Sequence, residues 1–310
     1  MRILLVVNSF ASSVTARNTV VVHRRLSRSH DVDMVETNRR GHATRFAQDA
    51  ARRGVDVVVA FGGDGTLNEV VNGIAGSSTA LGVLPGGSTN VFARTIGLPN
   101  DPLAAVDDLC AGLDAGDVRS IGLGRVDDRY FCFHTGIGFD AAVVETVERR
   151  ASLKRWLGHP LFISAAISTW STGYDRTRPH FRLAADDGRS TPDAYFTVVL
   201  NTDPYTYLGN RPLGLSPAAT FDRPLVAMTF RTLDLAPIVR GVASALRGVG
   251  VADGTQIVEW TDIHRLTVDD EQPFPYQVDG DFLGDTRRLL VEHVPDAVRL
   301  VFPGSRDVPR

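Results

Sequence analysis

Lysine is almost missing from this chain: among 310 residues only Lys154 carries an ε-ammonium, and every other basic residue is arginine or histidine. A Walker-type phosphate loop, which needs a lysine directly after its glycines, is therefore excluded, and Schiff-base chemistry would have a single residue to use. Cysteine is equally scarce. Cys110 and Cys132 are too few for a thiolate metal centre or a disulfide framework, and fit a reducing, cytoplasmic setting. No apolar run approaches the ~20 residues of a membrane span, so any membrane contact is expected to be peripheral. Excess charge is absent too, the formal net being −3. With no basic stretch interleaved with aromatics, no nucleic-acid partner is expected. The opening Met1–Asn8 segment has an apolar run far shorter than a signal-peptide core and reads as a first β-strand. The length favours two domains.

Glycine, by contrast, is concentrated where it carries meaning. Val55–Phe61 is a short β-branched run of the kind buried on both faces of a parallel sheet. It runs into Gly62-Gly63-Asp64-Gly65-Thr66-Leu67-Asn68-Glu69, after which Leu67, Val70, Val71 and Ile74 fall at helical spacing. A glycine turn opening a helix presents backbone N–H groups and a positive dipole end to phosphate oxygens. Asp64 is out of place among phosphate-seeking amides, unless it sits beside Mg²⁺ or next to a hydroxyl about to lose its proton. The plainer alternative is a tight turn with Asp64 as a capping residue.

Strand and helix patterns alternate through the first third: strands at 3–7, 32–36, 57–61 and 80–84, helices at 19–26, 42–53 and 67–74. This predicts a doubly wound α/β domain, residues 1–122. Ligands in such sheets bind at the carboxyl ends of strands, where Asn8-Ser9, Thr37-Asn38 and Pro85-Gly86-Gly87-Ser88-Thr89-Asn90 lie. From about Arg119 the texture changes to many short alternating runs, predicting a β-rich second domain over 123–310, with about 290–310 as a candidate to return to the first. A helical insertion, 141–150 and 152–169, holds Trp156, Leu157, Leu161, Phe162, Ile163 and Ile167, with Trp170 just beyond. Either it covers the core, or its apolar face touches lipid headgroups beside Arg149, Arg150, Lys154 and Arg155. An edge strand of the β-rich domain leaves a homodimer open.

A second acidic turn, Val278-Asp279-Gly280-Asp281, follows a strand near the C-terminus. Taken alone, Asp-Gly-Asp is ordinary hairpin chemistry. Together with Asp64, the pair Asp279 and Asp281 become candidates to hold Mg²⁺ and to accept a nucleophile's proton, since phosphoryl transfer is mainly positioning and charge stabilisation.

At this point the chain resembles the diacylglycerol kinase catalytic-domain family, lipid kinases related to sphingosine and ceramide kinases. The resemblance rests on Gly62–Glu69, on Leu84–Arg94, on Gly136-Ile137-Gly138-Phe139-Asp140-Ala141, and on Asp279-Gly280-Asp281 where the family has Asp-Gly-Glu. It implies an N-terminal domain like phosphofructokinase and NAD kinase and a C-terminal β-sandwich. It also implies an ATP- and Mg²⁺-dependent kinase acting on a lipid hydroxyl, diacylglycerol foremost, at a membrane surface. Carried over, Asn8, Ser9, Thr37, Gly62, Gly63, Asp64, Gly65, Thr66, Asn68, Glu69, Gly87 and Ser88 would contact nucleotide. Asp140 and Asn90 would face the acceptor, Asp281 would be the base beside Asp64 and Asp279, and Asp64, Asp279 and Asp222 would hold metal.

Several departures stand out. The family's opening Asn-Pro-x-x-Gly is Asn8-Ser9-Phe10-Ala11-Ser12, its Gly-Thr-x-Asn-Asp is Gly87-Ser88-Thr89-Asn90-Val91, and Asp222-Arg223 stands where a metal-binding Asp-Gly is usual. The Gly-Ser-x-Asn form is closer to sphingosine and ceramide kinases. NAD kinase shares the first glycine loop but is disfavoured by the Pro85–Asn90 and Gly138–Asp140 segments. A catalytically silent nucleotide-binding regulator is the alternative of another class.

Overall fold

The computed structural model of the protein describes residues 1–149 and 164–304. The chain forms two compact units, one of residues 1–123 with 295–304 and the other of Gly124–Val294.

In the first unit the apolar run Arg2–Val7 (β1) is flanked by Asp31–Glu36 (β2) and Val57–Gly62 (β3), all parallel. Ala80–Pro85 (β4) pairs with β3, and Arg299 and Leu300 of the last strand pair with β4. β3 and β4 are buried throughout, as their unbroken apolar sequences require. The helices are α1 (Ala16–Leu26), α2 (His42–Arg52), α3 (Asp64–Ile74), α4 (Val91–Thr95) and α5 (Pro102–Ala115).

From β1 the chain steps one way to β2, then crosses back past β1 to β3. Right-handed crossovers therefore place α1 and α2 on opposite faces. The packing of α1 on α5 and of α2 on α3 agrees with this. The direction reverses between β1 and β3, so the crevice outside their carboxyl ends, at Asn8 and Gly62-Gly63, is where this topology accommodates a ligand.

The second unit is antiparallel and β-rich. Strands β5 (Val118–Val126), β6 (Arg129–Phe131) and β7 (His134–Gly138) lead into helix α6 (Phe139–Arg149). Strands β8 (Phe181–Ala185), β9 (Ser190–Ala194), β10 (Phe196–Leu200), β11 (Thr206–Leu208), β12 (Arg211–Leu213) and β13 (Leu225–Phe230) come next. Helix α7 (Leu235–Ala245) precedes β14 (Ile257–Ile263), β15 (Arg265–Val278) and β16 (Asp281–Val301). Long β15 pairs with β8 near its start and β7 near its end, so two walls of sheet share it.

Phe181, Leu183, Val199, Trp260, Phe274 and Leu289 fill the core between. Period-two alternation sends Phe196, Val198 and Leu200 of β10 to a second cluster with Met228, Phe230 and Leu233, which α7 covers through Ala245. Not all the runs are short: β15 is one strand of 14 residues, bulged between Asp269 and Phe274. Of the expected helical insertion, 150–163 lies outside the described residues, with Arg150, Lys154, Arg155, Trp156, Leu157, Leu161, Phe162 and Ile163. The helical residues from Ser164 onward end in a π-helical turn, Thr169–Gly173, where the Trp170 indole N–H donates to the Leu233 carbonyl.

Candidate functional site

Two glycine turns meet at the ends of β3 and β4. A Cβ on Gly87 would sit 2.9 Å from Gly63 Cα, and one on Gly86 would sit 2.8 Å from Gly62 Cα, so only glycine lets these backbones touch. Helix α3 opens with Gly63 as N-cap, a residue with no side chain to bond the first-turn amides. Around Gly65 the space is open. Asn8 ties the end of β1 to this helix, its Nδ2 donating to Thr66 Oγ1 at 2.9 Å. Ser9 and Ser88 are exposed and Thr37 is buried at the end of β2. The cradle suits an anionic group carried on backbone amides.

Several residues expected to touch ligand bond the loops themselves. Asp64 accepts from the Val91 N–H at 3.0 Å and the Phe92 N–H at 3.2 Å, so it caps α4 and clasps one glycine motif to the other. The plainer reading as a cap was right in kind, though the helix capped is not its own. Burial pushes its carboxyl upward, with those amides pulling it back. Glu69 accepts from Gly41 N–H and Ala43 N–H at the start of α2, Asn68 is buried and accepts from Asn72, and Asn90 holds the Gly87 N–H and C=O with its amide. Glu69, Asn68 and Asn90 thus all support the loops around the glycine turns. The motif looks rich in ligand groups because tight loops have many amides to satisfy.

In the second unit the acidic turn is a two-residue hairpin between β15 and β16, with Asp279 (φ 47°) and Gly280 (φ 80°) both left-handed. That geometry favours Asp-Gly. Asp279 is 7% exposed and its carboxylate accepts three N–H bonds: Cys132 at 2.7 Å, Phe133 at 3.0 Å and His134 at 3.2 Å. It latches the β6–β7 connection. Asp281, on the other side of the turn, pairs with the Arg129 guanidinium at 2.8 Å.

Asp140, in the first turn of α6, is held by the Tyr205 hydroxyl (2.5 Å) and Gln277 Nε2 (2.8 Å). A Cβ on Gly136 would overlap its carboxylate, so that glycine makes the room. Burial pushes its carboxyl above the usual range, against both hydrogen bonds. Gln277 Oε1 accepts the Gly280 N–H at 2.7 Å, so one amide links Asp140 to the turn that presents Asp281. His134 lies against the Tyr205 ring at 4.3 Å, and its burial depresses the imidazole to about 3. Gln277, Tyr205, Arg129 and His134 went unread in the sequence. Gln277 adjoins a flagged motif, but for the other three only the fold supplies a signal.

No group of three or more His, Cys, Asp or Glu side chains that could hold an ion occurs among the described residues, and Asp222 lies on an exposed turn. Asp64, Asp279 and Asp222, given metal roles from the sequence, form no such group. Nor is any helix of the described residues long and apolar enough to cross a membrane.

Comparison with known proteins decides the family. Residues 2–126 match the diacylglycerol kinase catalytic domain. A diacylglycerol kinase of Bacillus subtilis (strain 168) is 31% identical over 249 residues, 79% of this chain and 77% of that protein. The chain belongs to the diacylglycerol kinase family of lipid kinases. A second relative, the diacylglycerol kinase of Staphylococcus haemolyticus (strain JCSC1435), is 40% identical over 104 residues, 33% of this chain and 30% of that one. The crystal structure of a diacylglycerol kinase from Bacillus anthracis str. Sterne shares the fold, with a TM-score of 0.70 at 20% identity, covering 97% of this chain and 96% of that one. This diacylglycerol kinase family fold is an N-terminal α/β domain followed by a β-rich domain, as read from the sequence.

Proposed function

We propose that this kinase transfers the γ-phosphoryl group of ATP to the free hydroxyl of diacylglycerol, yielding phosphatidic acid. The observation that carries the reading is the pair of glycine turns packed backbone to backbone beside the glycine-capped N-terminus of α3. Amides of Gly63 to Gly65 would hold phosphate oxygens, with the Ser88 hydroxyl exposed beside them, while Asn8, Asp64 and Asn90 keep the loops rigid. ATP supplies the phosphoryl group. Mg²⁺ finds no protein cage among the described residues, and a kinase metal commonly comes bound to nucleotide phosphates.

Asp281 is the proposed base, taking the proton of the acceptor hydroxyl. Arg129 fixes its orientation through the 2.8 Å ion pair. Asp140, held by Tyr205 and Gln277, would accept or donate a hydrogen bond to the same hydroxyl. The test is incubation of the protein with labelled ATP, Mg²⁺ and a total lipid extract, with the labelled product then identified. Phosphatidic acid is expected. A labelled sphingoid or ceramide phosphate would move the acceptor class, labelled NADP from added NAD would overturn the lipid reading, and ATP binding with no transfer would point to a silent regulator.

A further inference from the structure

Helix α7 turns one face inward, where Pro237, Gly241 and Ala245 are buried over the second apolar cluster. Its opposite face is apolar as well. Leu235, Val239, Val242 and Leu246, spaced four, three and four apart, are 54%, 62%, 46% and 43% exposed, and Val249 beyond the helix is 70% exposed. Spacing of this kind puts all four side chains on one stripe. Soluble surfaces scatter exposed Leu and Val singly, so a continuous stripe along a whole helix marks a contact surface.

The charges around the stripe indicate what it contacts. From Leu235 to Ala252 the only ionisable side chains are Arg240 and Arg247, both exposed and neither in an ion pair among the described residues. By helical rotation both lie to one side of the stripe. Of the acids that bound the segment, Asp253 is spent on the backbone N–H groups of Thr255, Gln256 and Ile257. A second copy docked here would bring two more arginines and no acid on the stripe to meet them.

We infer that the outer face of α7 seats this kinase on an anionic lipid surface, its apolar stripe entering the headgroup boundary while Arg240 and Arg247 meet lipid phosphates. The inference rests on the lipid-acceptor reading for its purpose, since a water-insoluble acceptor must be met at an interface. It concerns residues 235–249 and not the basic residues Arg149, Arg150, Lys154 and Arg155.

The test is co-sedimentation of the full chain with vesicles of phosphatidylglycerol and phosphatidylcholine, and with phosphatidylcholine alone, in the absence of ATP. The wild type is expected to bind the anionic vesicles more tightly, with binding weakened by high salt. Val239→Gln/Val242→Gln/Leu246→Gln should weaken binding at least about tenfold, by the apolar area it withholds. Arg240→Gln/Arg247→Gln should cost about fivefold per arginine and abolish the preference for phosphatidylglycerol. All these side chains face water, so thermal melting should be unchanged, and the arginine pair gives an independent route if the triple variant unfolds. Wild-type protein that ignores vesicles, or variants that bind like wild type, would overturn the inference. So would a dimer in sedimentation velocity that the triple variant alone dissociates without change in vesicle binding. Because binding is read without turnover, vesicle binding through α7 with no lipid phosphorylated would sink the kinase reading and leave this one standing.

Discussion

Replacing Asp279 with asparagine separates a latch from a catalytic acid. Asparagine keeps the side-chain shape and tolerates the left-handed backbone at φ 47°, so the turn itself should persist. Oδ1 can still accept from Phe133 and His134, while the new NH₂ faces the Cys132 N–H, which had the shortest of the three bonds at 2.7 Å. That leaves one buried donor without an acceptor, about 1–3 kcal/mol, and removes charge assistance from the other two bonds. The expected loss is about 3 kcal/mol of unfolding free energy, measured by urea titration at neutral pH. Asp279→Ala should lose more, because all three donors are orphaned and alanine resists this φ. Turnover should fall no further than the folded fraction and the slackened turn explain. A variant that unfolds at wild-type urea but transfers no phosphate would refute the latch and return Asp279 to the chemistry.

Other expectations rest on the same geometry. Gly65→Ala has open space around its new methyl and should leave stability unchanged or raise it by up to about 1 kcal/mol; isothermal titration should nonetheless show weaker ATP binding if phosphates approach that amide. Gly73→Ala would place its Cβ 2.6 Å from both Ala47 Cβ and Thr44 O, prising α2 from α3, and should cost about 1–3 kcal/mol in chemical denaturation. His134, depressed to about 3 in the fold against 6.5 unfolded, contributes stability that is complete above pH 6.5 and is lost as pH falls toward 3, about 2 kcal/mol of it by pH 5. Asp203, pushed up to about 6 by burial, has the opposite sign, its contribution fading as pH rises through 6. Comparing wild type with His134→Asn across this range isolates the histidine, and identical pH slopes would count against it.

The sequence showed the parallel sheet clearly, because strands such as Val57–Gly62 and Ala80–Pro85 are buried on both faces and so are apolar throughout. Hairpin chemistry at Asp279-Gly280 was legible for a similar reason, a local backbone demand met by two residue types. What it could not show was which atom each acid faces. Asp64, Glu69 and Asp279 satisfy amides at Val91, Gly41 and Cys132, positions up to 147 residues away in sequence, and nothing in a motif distinguishes an acid that serves a loop from one that serves a ligand. Helix α7 escaped notice because its apolar residues lie on both the buried and the exposed side, which blurs the one-sided pattern a surface helix ordinarily shows.

The most direct test of the account is steady-state transfer from labelled ATP to diacylglycerol in mixed micelles, wild type beside Asp281→Asn, at saturating ATP and lipid with folding checked by thermal melting. The account predicts labelled phosphatidic acid from the wild type and turnover lowered by about 10²–10⁴-fold in the variant, with ATP affinity almost unchanged. Wild-type protein that labels no lipid, or Asp281→Asn working at the wild-type rate, would contradict it.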